Sequence, residues 1–232
     1  MAITLEELKT QSRQRADMEN SNFITDTELT SYINKSVSEL HDILIQAYDG
    51  DYYVKSTTFL TSNNTESYSL SSVITDNDFY KLRGVDAKLN SQDWDTLKPF
   101  AFNERNKRQN MGAWNYLGLS NVRYRLVGSN IAFTPTPDSA IEIRIWYIPV
   151  ATELVLNTDE LEDLNNFSEY VIVDTAIKMM QKEESDTTIL MAQKAALKRR
   201  IEEAANNRDA GSGESISDVY NESNDYRYGR SS

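Results

Sequence analysis

The chain has no cysteine and only one histidine, His41. The absence of cysteine excludes disulfides, thiolate catalysis and cysteine-ligated zinc, and it fits a reducing cytoplasm. A lone histidine without cysteine cannot build the usual zinc shells. As a general base, it would need a nucleophile and an orienting carboxylate from elsewhere in the fold. We therefore interpret His41 as a helix residue at the surface or the core boundary, and we expect no metal and no cofactor.

Long apolar runs and glycine-rich loops are also missing. No stretch approaches the roughly 20 apolar residues that a membrane-spanning helix requires. The N-terminus begins a helical pattern instead of a basic and then apolar signal peptide. Only eight glycines occur, and the chain has no phosphate-binding loop, nucleophile elbow or HExxH motif. We therefore expect no membrane association and no enzyme of these classes.

Basic residues are fewer than acidic ones, since the chain has 24 Lys and Arg but 36 Asp and Glu, which gives a net charge of −12. A general nucleic-acid binder would need Lys and Arg to displace counterions from phosphates. A strongly acidic protein instead suits a role in which it surrounds an anionic molecule without holding it. The length of 232 residues allows one large domain or two small ones.

Helical patterns open and close the chain. Thr4 begins a short helix over 4–17 and Thr25 begins a longer one, each with Glu three residues later as in a capping box. A third helix is predicted over 166–184 and a fourth after Asp186, joined by a link short enough to make them antiparallel. We expect the fourth helix to pack on the third through Ile189, Leu190, Ala192, Ala196, Leu197, Ile201 and Ala205.

Aromatic and β-branched residues dominate the middle of the chain, which predicts strands. The predicted strands cover 52–60, 67–70, 79–89 and 141–148, with a hairpin over 122–134 and a short helix over 99–110. The prediction is an α+β fold: a helical bundle built from both chain ends, with an inserted β-rich domain and an extended C-terminal tail. The predicted boundaries are 1–51 for the N-terminal helices of the bundle, 52–148 for the inserted β-rich domain, 149–210 for an acidic linker and the C-terminal helical hairpin, and 211–232 for an extended, partner-binding tail.

One basic island interrupts the acidic chain. Between Lys98 and Arg125 a single acid, Glu104, accompanies six basic residues, and aromatic residues lie among them. Arginine with aromatics suits a protein interface or nucleic acid, and the overall charge favours a protein interface. A charged helix face beside core aromatics is an equally good interpretation. The residues that we predict to contact a neighbour or a partner are Arg105, Lys107, Arg108, Trp114, Arg123 and Arg125.

An acidic stretch follows the predicted sheet, since no Lys or Arg occurs between Arg144 and Lys178. Paired carboxylates such as Glu160 and Glu162 could serve a glycosidase. A solvated acidic loop before a helix N-terminus is the interpretation that we favour, because the helix dipole stabilises acids there. The first five acids of this stretch are Glu153, Asp159, Glu160, Glu162 and Asp163.

The last 22 residues, 211–232, are too polar to bury an apolar core of their own. Such a segment either stays without fixed structure or orders on a partner. Spaced apolar and aromatic side chains could each enter a pocket on that partner, with polar residues bonding along a groove. The predicted anchors are Ile216, Val219, Tyr220, Tyr226, Arg227, Tyr228 and Arg230.

Both ends of the chain resemble one protein family. The two C-terminal helices followed by the residues Asn206-Asn207-Arg208-Asp209-Ala210-Gly211 resemble the end of head-to-tail adaptor (connector) proteins of tailed bacteriophages. The opening, residues 13–24 (RQRADMENSNFI) with Asp26, Glu28-Leu29 and Tyr32-Ile33-Asn34, resembles the N-terminal helices of such proteins. The resemblance does not extend to the middle of the chain.

The resemblance implies a structural virion protein of the neck, made in the host cytoplasm. Such adaptors form a homo-oligomeric ring, commonly of twelve copies, beneath the portal protein. Their C-terminal segments reach onto the portal, tail or neck proteins bind the opposite face, and DNA passes through the channel without specific binding. On this basis the predicted tail anchors contact the portal, and the acidic stretch lines the channel.

Three other functions stay open at this stage. A tail terminator or another neck protein is one, although the long terminal helices argue against the compact β folds of those proteins. A cell-wall hydrolase that uses Glu160 or Glu162 is another. A cytosolic assembly factor, absent from the finished particle, is the third.

Overall fold

A computed structural model describes residues 2–48, 51–88, 93–105, 121–162 and 166–206. In these ranges the helices are α1 (Leu5–Arg15), α2 (Asp26–Ala47), the single turn α3 (Leu70–Val73), α4 (Ser168–Lys182) and α5 (Thr188–Asn206). The strands are β1 (Ala2–Thr4), β2 (Lys55–Leu60), β3 (Ser67–Ser69), β4 (Phe79–Lys88), β5 (Trp94–Thr96), β6 (Lys98–Pro99), β7 (Arg123–Val127), β8 (Asn130–Thr134), β9 (Glu142–Pro149) and β10 (Glu160–Glu162). The predicted α+β class is confirmed, with helices from both chain ends and a β-rich middle.

The first two helices begin at the predicted residues. The Thr4 hydroxyl accepts a hydrogen bond from the Glu7 backbone N–H, and the Glu7 carboxylate accepts one from the Thr4 N–H. The Thr25 hydroxyl likewise accepts from the Glu28 N–H at 3.3 Å. These bonds satisfy N–H groups that have no partner within a first helical turn.

The connection between α1 and α2 is held by Arg13. Its guanidinium donates to the carbonyl oxygens of Ser21 and Ile24 at 3.1 and 2.9 Å, and it pairs with Asp26 at 3.0 Å. Met18 and Ile24, near the two ends of this connection, are buried. The loop therefore has a defined structure that fixes where α2 leaves α1.

One apolar core joins the helices from the two chain ends. Buried residues of α1 and α2 pack against those of α4, and two residues of α5 complete the cluster. Leu154, which follows the β-rich region, is buried in the same core. The main contributors are Leu5, Leu8, Leu29, Ile33, Leu40, Leu44, Tyr170, Val171, Val173, Ala176, Met179, Leu190 and Ile201.

A buried carboxylate, Asp174 of α4, links three helices of this bundle. Its side chain is 3% exposed. Ser36 of α2 donates to it at 2.6 Å, Lys194 of α5 pairs with it at 2.6 Å, and Lys178 pairs with it from the next turn of α4. Lys178 and Lys194 both also contact Glu39 of α2. We call these five residues the Asp174 network.

The Asp174 network favours the charged forms of Asp174 and Lys194. Burial alone would raise the pKa of Asp174, but the hydrogen bonds from Lys178, Lys194 and Ser36 outweigh burial and hold that pKa below its usual value. Burial would lower the pKa of Lys194, yet its bonds to Asp174 and Glu39 raise it well above the usual range. The network is therefore an ionic contact inside the bundle, with its hydrogen bonds formed.

The middle of the chain forms two four-stranded sheets packed face to face. Their strand orders are β2-β9-β4-β5 and β3-β8-β7-β6. Alternate residues of β9, namely Ile143, Ile145 and Tyr147, face a core shared with Phe133 of β8. This strict alternation is the pattern that predicted the strand at 141–148. We call residues 55–149 the β unit.

Three strand pairings were not predicted from the sequence. β1 pairs with β10 antiparallel, so part of the acidic stretch is a strand that pairs with the N-terminus. β3 pairs with β8 in the second sheet, instead of returning along β2. Strand β6, residues 98–99, pairs with β7 in the parallel direction. Of the predicted helix 99–110, only Phe102–Glu104 is helical among the residues described. Each difference arises from pairing between distant segments, which local patterns do not encode.

The outer side of α5 also differs from the prediction. Leu190 and Ile201 are buried and Leu197 is half-buried, but Ile189, Ala192 and Ala196 are exposed. The helix therefore packs on the bundle through a narrow stripe, and Ile189 is 73% exposed.

Removal of the Asp174 charge tests the importance of the network. We expect Asp174→Asn to lower the free energy of unfolding by about 3 kcal/mol, the lower end of the cost of breaking a buried ion pair, because Glu39 still holds both lysines. The matched control is Asp51→Asn, since the Asp51 side chain is 73% exposed in its pair with Arg83, and we expect a change within about 0.5 kcal/mol. Chemical denaturation measures both. Equal effects of the two variants would contradict a central role for Asp174.

Candidate interaction surfaces

The β unit has a basic and aromatic patch built around Phe102. The Arg105 and Arg125 guanidiniums lie 4.5 and 5.6 Å from the centre of the Phe102 ring, which is 54% exposed. Arg125 also donates to the Phe100 carbonyl at 2.9 Å. An exposed aromatic ring between two arginines has the composition of an interface centre. We call Phe102, Arg105 and Arg125 the Phe102 patch.

The structure brings together part of the basic island predicted from the sequence. Arg123 lies on β7 two residues from Arg125, opposite Thr134 of β8 and beside Lys98 of β6. Tyr124 and Leu126 alternate with these arginines and pack against the β core. Arg123 and Arg125 therefore share the other face of β7. Lys107, Arg108 and Trp114 lie outside the described residues.

The predicted channel-lining acids do not share one environment. Glu153 and Glu160 have exposed side chains. Asp159 is used locally, because its carboxylate accepts hydrogen bonds from the backbone N–H groups of Val155 and Leu156. These bonds hold the pKa of Asp159 below its usual value. The backbone of Glu162 belongs to β10, its side chain is not described, and Asp163 lies outside the described residues.

The predicted portal anchors of the tail all lie outside the described residues. They are Ile216, Val219, Tyr220, Tyr226, Arg227, Tyr228 and Arg230.

A second arginine–aromatic group lies on the outer face of the first sheet. The guanidinium of Arg144 stacks between Trp94 and Trp146, 4.1 and 4.9 Å from the ring centres. Asp86, only 7% exposed, accepts from Arg144 at 3.0 Å, from the Trp146 indole at 2.7 Å and from Thr96 at 3.0 Å. Because this carboxylate has its partners, we assign the group to sheet stability. Sequence inspection missed it, because only the register of β4 against β9 places Asp86 opposite Arg144.

His41 lies where the bundle meets the β unit. It is 6% exposed, stacks on Tyr53 at 4.6 Å and makes an edge contact with Tyr80 at 5.8 Å. Tyr80 of β4 also donates to Asp42 of α2 at 2.9 Å, which ties the two parts together. The Nε2 atom of His41 is buried and has no hydrogen-bond partner among the described residues. His41 is therefore a packed junction residue, more buried than the sequence led us to expect.

None of the helices in the described ranges is both long and apolar enough to cross a membrane. Within those ranges, no three His, Asp or Glu side chains are grouped so that they could hold a metal ion.

Comparison with known proteins found no similarity on which a family can be based: no protein-family model matches the chain, and neither does any curated protein.

The burial of His41 predicts a pH dependence of stability. Burial lowers the pKa of His41, and this effect exceeds the opposing effects of Asp42 and of the hydrogen bond to the Pro149 backbone. As pH falls through the ordinary histidine pKa of about 6.5, the unfolded state takes up a proton before the folded state does, so the free energy of unfolding decreases. We expect His41→Phe, which keeps a ring against Tyr53, to reduce that decrease.

Denaturant unfolding at about pH 7.5 and about pH 5.5, on either side of the ordinary histidine pKa, measures this effect. The wild-type protein should lose more stability than His41→Phe over that interval. His41→Gln is a second variant, whose side chain at this position does not take up a proton in this pH range. Identical pH slopes in all three proteins would contradict the assignment to His41.

Proposed function

We propose that this chain is a head-to-tail adaptor of a tailed bacteriophage, a non-enzymatic structural protein that forms a ring beneath the portal and joins it to the tail. The observation that carries the proposal is the bundle made from both chain ends. Residues 13–34, which resemble the N-terminal helices of such adaptors, form the Arg13-held connection and the first half of α2. They pack on α4, which leads into the C-terminal helix of the resemblance.

The distribution of charge supports a channel for DNA. The chain has a net charge of −12, and Glu153 and Glu160 are exposed on a segment without basic residues. A wall of like charge repels phosphates and lets DNA pass without being held. We assign this acidic segment to the channel side of the ring, at the edge where neighbouring copies meet.

The remaining surfaces are assigned to protein partners. The Phe102 patch presents arginine and an exposed ring, the residue types enriched at interface centres, and we assign it to contact with tail or neck proteins. We assign the tail, 211–232, to the portal. A segment that orders on its partner can cover a large surface, and several tails on one ring reinforce each other through effective concentration.

The tail tyrosines provide the test of portal binding. We expect the triple variant Tyr220→Ala, Tyr226→Ala and Tyr228→Ala to bind the portal ring at least about 100-fold more weakly, since each truncated anchor costs roughly 1 kcal/mol or more. The full-length protein and the portal ring of the same genome are mixed and imaged by electron microscopy, and binding is titrated. A second ring stacked on the portal is the expected image.

The matched control replaces polar residues of the same tail, Ser212→Ala, Ser215→Ala and Ser217→Ala, and should bind as the wild type does. Deletion of residues 211–232 should abolish docking while the thermal unfolding of the body is unchanged. Docking that survives the deletion would refute the role of the tail. If the wild-type protein does not associate with the portal at any ionic strength, the adaptor role itself is wrong.

A further inference from the structure

Two adjacent apolar side chains, Val155 and Leu156, project from the segment that follows the β unit. They are 68% and 63% exposed. The backbone N–H groups of both residues donate to one oxygen of Asp159, at 2.7 and 2.8 Å. The preceding residue, Leu154, is buried, and the Asn34 side-chain amide bonds its N–H and its carbonyl, each at 2.9 Å. We call Val155 and Leu156 the apolar knob.

The knob is fixed to the N-terminal end of α1. The Leu5 N–H donates to the Asp159 carbonyl at 2.9 Å, and the Glu6 N–H donates to the Asn157 carbonyl at 3.1 Å. Lys9 reaches the Asn157 side chain at 2.9 Å. A loop held in this way loses little conformational entropy when a partner covers it. Two exposed apolar side chains on such a support favour a docking role.

A groove of about 360 Å³ lies at the other end of α1, where α1 meets α4 and α5. Apolar and charged residues line it together. The apolar ones are Val173, Ala196 and Leu197, and the charged ones are Arg15, Glu169 and Arg200. Ile189, 73% exposed, lies two turns before Ala196 on the same side of α5.

The knob and the groove lie on different flanks of α1. Lys9 contacts the loop of the knob, and Arg15 lines the groove. At 100° per residue, the two side chains point roughly 120° apart around the helix and are separated by roughly 9 Å along it. Two distinct patches on one subunit are what a heterologous contact requires.

The charges around the two patches are complementary. The segment 153–162 contains four acids and no basic residue, and Glu153 and Glu160 are exposed beside the knob. In the groove, Arg15 pairs with Glu169 of the same copy, and Arg200 adds a further positive charge, so the charged lining carries one net positive charge. Because copies at −12 repel each other overall, a specific contact between them needs such a local match.

We propose that the apolar knob of one copy inserts into the α1–α4–α5 groove of the next copy. Repeated around an axis, this head-to-tail contact closes a ring when the rotation allows it. Only the role of the ring in the virion rests on the proposed function. The contact between copies is tested on the protein without the portal.

Because the chain has no cysteine, single cysteines report the contact directly. Leu156→Cys and Ala196→Cys proteins are prepared separately, mixed and oxidised over a series of protein concentrations. The expected product is the mixed disulfide between positions 156 and 196, enriched above the twofold excess over each symmetric product that random pairing of an equal mixture gives. Predominance of a symmetric product would indicate an isologous contact and overturn the proposal, as would no enrichment of the mixed product at any concentration.

A charge placed in the knob is the second test. We expect Leu156→Lys to weaken self-association, measured by analytical ultracentrifugation, about 10- to 100-fold, because one large apolar side chain is no longer buried and a positive charge would enter a groove that is itself net positive. The matched control is Leu60→Lys on β2, since Leu60 has the same 63% exposure, and it should associate as the wild type does. Equal weakening by both variants would overturn the proposal.

The two proposals fail in different ways. Cross-linking between positions 156 and 196 without docking to the portal would leave the subunit contact standing and remove the adaptor role. A ring on the portal in which Leu156→Lys assembles as well as the wild type would leave the adaptor role standing and remove this contact.

Discussion

The bundle depends on the compensation of one buried carboxylate. Asp174 is nearly inaccessible to solvent, and a charge in that position must be paired and hydrogen-bonded or the fold loses several kcal/mol. Its partners come from its own helix through Lys178, from α5 through Lys194 and from α2 through Ser36. Apolar packing tolerates small shifts of one helix along another, whereas these bonds require one register. Ser36 and Asp174 are 138 residues apart in the chain, so the network also brings its two ends together.

The β unit also contains a buried carboxylate whose charge is compensated by nearby hydrogen-bond donors. Asp86 is buried on the outer face of a sheet, and its oxygens are occupied by Arg144, Trp146 and Thr96. At the junction the situation differs, because His41 is buried by aromatic rings and its Nε2 has no partner among the described residues. Charged groups inside each part are thus compensated, while the contact between the parts relies on stacking, on the Tyr80–Asp42 bond and on the Asp51–Arg83 pair, in which Asp51 is largely exposed. The junction also holds the only histidine of the sequence, the side chain whose ordinary pKa lies closest to neutral pH.

In the proposed adaptor, contacts with neighbouring copies and contacts with other proteins lie on different parts of the fold. The knob and groove belong to the bundle, so neighbouring copies would meet through the part of the chain whose register Asp174 secures. The Phe102 patch belongs to the β unit and remains available for a different partner. Rigid support on both sides of the knob, through Asn34 and Asp159, suits a contact that recurs around a ring, because each copy presents the same preformed shape.

Local features of the sequence determined the helix starts and the alternating strands. Thr4 and Thr25 begin helices because a hydroxyl satisfies free N–H groups within the same turn, and residues 141–148 alternate because successive strand residues face opposite sides. The pairing of β1 with β10, the exposure of Ile189 and the occupants of the Asp174 and Asp86 sites were decided only by the tertiary structure. These depend on which distant segments compete best for the same buried surface, and neither hydrophobic period nor capping encodes that outcome. For the same reason, the sequence suggested an acidic stretch and a basic island, whereas the fold alone exposed Val155 and Leu156 as a knob and formed a groove between the helices.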